Sequence, residues 1–96
     1  MFTVQITASF QEWLDGLRDM RAQIAIARRV TRIEAGNLGD AKSVGEGVSE
    51  LRVDIGAGYR VYFVKRGGKL VILLAGGDKS SQASDIKRAQ KLAKEF

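Results

Sequence analysis

Arg60, Lys79 and Arg52 are the side chains of this sequence best suited to chemistry, and the chemistry they suit is that of phosphate. Arginine and lysine stabilise charge developing on a phosphoryl oxygen without gaining or losing a proton. Arg60 follows the turn residues Gly56-Ala57-Gly58 and Tyr59, in a segment of strand character that holds no acid of its own. Arg52 stands between Glu50 and Asp54, so a salt bridge to either acid weighs equally with a ligand contact. Lys79 belongs to Gly76-Gly77-Asp78-Lys79-Ser80-Ser81-Gln82, which leads from an apolar strand to a helix start. Free N–H groups and the helix dipole favour an anion at such a place. The GxxxxGK[ST] spacing of a P-loop is absent, so by itself the segment also reads as an ordinary strand-to-helix loop with a serine cap. Of the aromatics Tyr59, Tyr62 and Phe63, at least two are expected in the core, and only Tyr59 or Tyr62 could reach a base or sugar.

What is missing narrows the chemistry further. The 96 residues include no His, no Cys and no Pro. That removes zinc sites built on thiolate or imidazole, and every thiol or Ser-His-Asp nucleophile scheme. Proton transfer is left to carboxylates, lysine, tyrosine or a substrate hydroxyl. No metal and no cofactor is expected. Without cysteine there is no disulfide framework pointing to secretion. Met1 to Phe10 lacks the basic-then-apolar order of a signal peptide, and no apolar run reaches the roughly 18–20 residues of a spanning helix. A cytoplasmic domain with no membrane association is the expectation.

The net charge of +5 comes from 16 Lys/Arg against 11 Asp/Glu, and it is unevenly placed. Residues 1–64 are neutral, and the whole excess falls in residues 65–96. A localised basic field concentrates polyanions or an acidic partner, and a solvated basic helix explains the same charges equally well. Lys87, Lys91 and Lys94 fit the second description, as a solvated face that could add attraction to a nucleic acid.

The elements that must position these side chains follow from hydrophobic spacing. Phe2 to Ile6 alternates as a strand. Ser9 and Glu12 have the form of a capping box for a helix with Phe10, Trp13, Leu14 and Leu17 on one stripe. Met20 to Ala35 predicts a second helix, with Met20, Ile24, Ala27 and Ile33 inward and Gly36 as its stop, the two helices forming a hairpin. Residues 36–47 read as the main loop. Glu50–Ile55 and Tyr59–Val64 alternate as strands, the first with Glu50, Arg52 and Asp54 on a charged outer face. Gly67-Gly68 turns the chain into Leu70–Ala75, apolar on both faces and so a covered central strand, after which Gly76-Gly77-Asp78 leaves the sheet. Ser80, Ser81 or Ser84 caps a last helix whose inner side carries Ile86, Ala89, Ala93 and Phe96. The fold class is α+β, a single domain over 1–96 in the order β-α-α-β-β-β-α, with no internal repeat or linker.

That order resembles the RelE/ParE toxin superfamily, most closely its HigB-like addiction module killer protein branch. The specific segments are Glu50-Leu51-Arg52-Val53-Asp54-Ile55-Gly56-Ala57-Gly58-Tyr59-Arg60-Val61-Tyr62 and Gly77-Asp78-Lys79-Ser80-Ser81-Gln82, followed by Asp85-Ile86 and Ala89. The resemblance implies a small, mainly antiparallel sheet with a helical hairpin and a C-terminal helix. It implies a type II toxin held by a cognate antitoxin. RelE- and HigB-type members cleave mRNA, often in the ribosomal A site, whereas ParE-type members poison DNA gyrase. In the cleavage reaction the RNA 2′-hydroxyl attacks the adjacent phosphate and expels the 5′-oxygen, leaving a 2′,3′-cyclic phosphate. Carried onto this chain, Arg60 stabilises the phosphate, Lys79 holds it or assists the leaving group, and Arg52 takes roughly the place of a strand lysine. Tyr59, Tyr62, Ser80, Gln82, Lys87 and Lys91 become substrate-binding candidates, and Glu50 or Asp85 candidate acid/base groups, Asp85 reading equally as a helix-start charge. The alternatives are a gyrase poison on the same fold and a basic nucleic-acid-binding module without toxicity.

Overall fold

A computed structural model describes all 96 residues. Five strands and three helices follow in the order β1 (Thr3–Ile6), α1 (Ala8–Asp15), α2 (Met20–Glu34), β2 (Ala41–Gly45), β3 (Val48–Val53), β4 (Tyr59–Arg66), β5 (Leu70–Gly77) and α3 (Gln82–Ala93). A short 3-10 turn, Lys79–Ser81, precedes α3. The strands form one sheet in the order β1-β5-β4-β3-β2, antiparallel except for the parallel β1–β5 pair. This is the expected α+β architecture with one strand more.

The extra strand, β2, lies inside the segment read as loop. Its lysine, serine and glycine are exposed and only Ala41 and Val44 are half-buried, so it has little of the apolar alternation that marks a strand. It forms because Glu46-Gly47, both at positive φ, close a tight hairpin onto β3. An edge strand needs ladder hydrogen bonds more than a buried face.

Two apolar layers sandwich the sheet. On one face Phe10 of α1 and Ala22, Ile26 and Ile33 of α2 pack on Leu51, Val53, Val61, Phe63, Val71 and Leu73. On the other, Ala89 and Ala93 of α3 pack on Val48, Tyr62, Val64, Ile72, Leu74 and Ala75. β5 is therefore covered on both sides, as its composition demands. Its buried course runs on through Gly76 and Gly77 rather than leaving the sheet before them. Both glycines are needed there, since the Trp13 ring and the Asp85 carboxylate occupy the space a Cβ would take.

Four local expectations are corrected. Thr7, not Ser9, caps α1: its hydroxyl accepts from Phe10 N at 3.2 Å and donates to Leu73 O at 2.8 Å, tying the helix start to β5. The inner stripe of α2 is Ala22, Ile26 and Ile33, while Met20, Ile24 and Ala27 are exposed. Phe96 likewise lies outside the α3 stripe, at 45% exposure, and Asp85 takes a place on it. Of the serines expected to cap α3, Ser81 holds the N-cap position but its hydroxyl donates to Asp85 and makes no capping hydrogen bond, while Asp78 caps the short turn before it, accepting from Ser80 N.

Candidate functional site

The β3–β4 pairing brings the two arginines together. Arg52 and Arg60 are direct partners in the antiparallel register, so both project from the face that α3 covers further along. The five-residue connection between these strands, Asp54 to Gly58, carries Gly56 and Gly58 at positive φ. It bends back beside the 3-10 turn, and a Cβ at Gly58 would sit 3.5 Å from the Lys79 Cβ. Arg52, Arg60 and Lys79 thus meet in one open cleft of about 210 Å³, lined also by Asp40, Val53, Asp54, Gly58 and Tyr59.

The three cations are not equivalent. Arg52 pairs with Asp40, whose Oδ2 accepts from Nη2 at 2.9 Å and Nε at 3.0 Å, both side chains being more than half exposed. The partner is thus neither Glu50 nor Asp54. Lys79 is exposed and forms no ion pair. Arg60 is held most firmly. Its Nε lies 3.3 Å from Glu50 Oε1, its Nη1 donates to Gly58 O at 3.2 Å, and its side chain is 12% exposed. The absence of an acid within β4 had left Arg60 looking unpaired, but its acid comes from the neighbouring strand.

Glu50 therefore does not stand on a solvated charged face. It is fully buried under α3, and Gln82 Nε2 donates to its Oε2 at 2.8 Å. Enclosed in this way, it cannot meet a substrate hydroxyl as an acid or base. Tyr62, its cross-strand partner, is also fully buried, which removes it as a contact for a base or sugar. Burial, reinforced by the Glu50 and Asp85 carboxylates, raises the Tyr62 pKa far above the usual phenol value. The hydroxyl has no hydrogen-bond partner: Glu50 biases its proton without being aligned to accept it.

Asp85 is the helix-start charge, accepting from Ser81 Oγ at 2.5 Å with Arg88 at 3.8 Å. Ser80 donates to Asp78, and these hydrogen bonds hold the Asp78 carboxyl below the usual carboxylate range. Gln82 is spent on Glu50. Lys87 and Lys91 are exposed on α3, away from the cleft lining. Tyr59 borders the cleft but is a core residue, 9% exposed among Phe10, Val53 and Val61 with its ring 6.4 Å from that of Trp13, so its ring is not free to meet a base or sugar. The residues that spacing alone missed are Asp40 and Asp54. Asp54 directly follows β3 and was legible as a neighbour of Arg52, whereas Asp40 arrives only through the unrecognised strand β2.

This geometry can be set beside known proteins. The sequence pattern of the family described as "Phage derived protein Gp49-like" matches residues 12–95. The chain belongs to that family. Gp49-like proteins are a RelE-like toxin family of toxin–antitoxin systems, which makes this chain a toxin-like module and implies a cognate antitoxin as its partner. The chain is also 53% identical over 96 residues to an uncharacterized protein of Haemophilus influenzae, covering 98% of this chain and 97% of that one. The Gp49-like match spans every cleft residue named here, from Asp40 to Lys79. No helix of this Gp49-like protein is long and apolar enough to cross a membrane.

Proposed function

We propose that this Gp49-like chain is the toxin of a type II toxin–antitoxin pair and acts as an mRNA endoribonuclease, on the ribosome or off it. The observation that carries the reading is the meeting of Arg52, Arg60 and Lys79 in a single cleft beside a glycine-bearing turn. A phosphate there meets one pre-oriented guanidinium, one that can leave a weak surface pair, and one free ammonium. We assign the chain to the HigB-like branch on its Gly58–Tyr62 and Gly77–Gln82 segments.

The reaction needs no group the chain lacks. The 2′-oxygen attacks phosphorus, the bond to the 5′-oxygen breaks, and a 2′,3′-cyclic phosphate remains. Arg60 and Arg52 neutralise the non-bridging oxygens as charge builds. Lys79 holds the phosphate or gives its proton to the departing 5′-oxygen. The 2′-hydroxyl proton goes to a carboxylate, and with Glu50 and Asp85 engaged in the fold we assign that role to Asp54. Asp54 lines the cleft and forms no ion pair. The exposed lysines of α3 raise the local concentration of RNA. The antitoxin silences the chain by covering the cleft with an acidic or apolar segment.

Brief induction of the chain followed by mapping of RNA 5′ ends, with and without ribosomes, tests this. Discrete cuts whose upstream fragments end in a 2′,3′-cyclic phosphate are expected. Intact transcripts during growth arrest would overturn the reading, and double-strand DNA breaks in their place would identify gyrase as the target. A small neighbouring reading frame should encode a chain that co-purifies with this one.

A further inference from the structure

We propose that Glu50 and Gln82 are positioning residues that aim the Arg60 guanidinium into the cleft, and that anion binding there consequently depends on how α3 is seated. The proposal rests on the reading of the cleft as a phosphate site. Glu50 touches no ligand, being fully buried between β3 and α3. A carboxylate there carries a large desolvation penalty, and a leucine would fill such a volume at lower cost. Around the polar group formed by Glu50, Arg60, Gln82 and Tyr62 the same face is apolar, with Val48, Val64 and Ala89 in its core. An apolar pair in place of Glu50 and Arg60 would satisfy stability equally well, so the acid is tied to the presence of the arginine. Orientation of Arg60 gives the reason for it.

A long arginine side chain loses its rotamer freedom only where several contacts hold it. Here Oε1 of Glu50 stands 3.3 Å from the buried Nε, and Gly58 O accepts from Nη1 at 3.2 Å. The ion pair at Nε, which is not aligned as a hydrogen bond, and the hydrogen bond at Nη1 together hold two of the three guanidinium nitrogens, and Nη2 has no protein hydrogen-bond partner. Glu50 is fixed in turn by Gln82, whose Nε2 donates to Oε2 at 2.8 Å. Gln82 is the first residue of α3 and follows directly on the turn that presents Lys79. One short segment therefore supplies a cleft cation and the clasp on the acid that orients another. Displacing the start of α3 withdraws both.

The test uses the full chain with Gln82→Ala and Glu50→Gln, and two readouts. The first is the Arg60 Nε–H resonance by nitrogen-15 NMR, titrated with inorganic phosphate and with a short RNA oligonucleotide. In the parent protein it should exchange slowly with water and shift on phosphate binding. In Gln82→Ala it should exchange faster and its phosphate-induced shift should shrink, with Glu50→Gln showing the same loss. The second readout is cleavage of the RNA. Misplacement of one phosphate ligand lowers kcat by roughly tenfold to a hundredfold. KM stays within about twofold, the mark of an interaction felt mainly in the transition state. If both variants melt earlier but leave the Arg60 resonance, its phosphate shift and kcat unchanged, Glu50 and Gln82 are structural only and the proposal falls. If the parent cleaves no RNA, the nuclease reading fails, while the resonance still decides whether Glu50 and Gln82 position Arg60. Should Gln82→Ala fail to fold, Glu50→Gln, which keeps the shape and an acceptor oxygen, carries the test.

Discussion

Arg60 on β4 and Glu50 on β3 form a diagonal cross-strand pair, 3.3 Å apart, in which the acid is fully buried and the base opens onto the cleft. The charge proposed to meet a phosphate is thus also the charge that makes a buried carboxylate tolerable. Function and stability are joined at one residue, and mutagenesis has to separate them.

Arg60→Ala should abolish toxicity and also destabilise the fold, by about 3–5 kcal/mol, because it strands the Glu50 carboxylate without its cation. Pairing Arg60→Met with Glu50→Leu should recover most of that stability and none of the toxicity. Urea unfolding of the single and double variants checks the first statement, and growth after induction checks the second. A single variant as stable as the parent would show that Glu50 does not depend on Arg60.

Lys79→Ala should behave differently, since Lys79 is exposed and unpaired. Stability should stay within about 0.5 kcal/mol of the parent. RNA affinity should fall, and the slope of log K against log salt should lessen by roughly 0.7, the value for one contact to a single strand. Fluorescence titrations at several salt concentrations measure that slope, and an unchanged slope would remove Lys79 from the phosphate contacts.

Asp40→Asn should increase RNA affinity at low salt, because the acid competes with phosphate for Arg52. The exposed pair contributes only about 0–1 kcal/mol to folding, so the melting temperature should barely move. Weaker binding in this variant would mean that Asp40 orients Arg52 rather than competing for it.

Tyr62→Phe should stabilise the protein or leave it unchanged, since it removes a buried hydroxyl that has no partner. It should also alter behaviour in alkali. The Tyr62 pKa is raised above its ordinary value of 10.0 by burial and by the carboxylates beside it. A raised pKa contributes stability that is present below the unfolded-state value and lost as pH rises above it. Above about pH 10 the unfolded chain releases this proton and the folded chain keeps it. The parent should therefore lose stability more steeply than Tyr62→Phe, by up to one proton per molecule. Parallel curves from denaturant melts between neutral pH and alkali would contradict the assignment.

Much of the layout was legible because burial imposes period on sequence. β5 reads as covered on both faces from Leu70 to Ala75, and the alternation of Leu51 and Val53 marks the inner face of β3 correctly. Arg52, Arg60 and Lys79 could be picked out by residue type and by their nearness to glycine-bearing turns, and the fold does unite them. Where periodicity was weak the reading failed. β2 carries too little apolar surface to be seen, and α2 turned out to bury a stripe of Ala22, Ile26 and Ile33 in place of the larger exposed Met20 and Ile24.

Residue types and their spacing thus determined by themselves that the chain folds as one α+β unit and that imidazole and thiol groups are absent from it. Which charges are free was decided only by tertiary structure. Glu50, Arg52 and Asp54 alternate along one segment as though they shared a solvated face. Yet α3 buries the first, β2 brings Asp40 to the second, and the β3–β4 turn leaves the third in the cleft. Desolvation and ion pairing depend on what lies across from a side chain, and its neighbours along the chain do not record that.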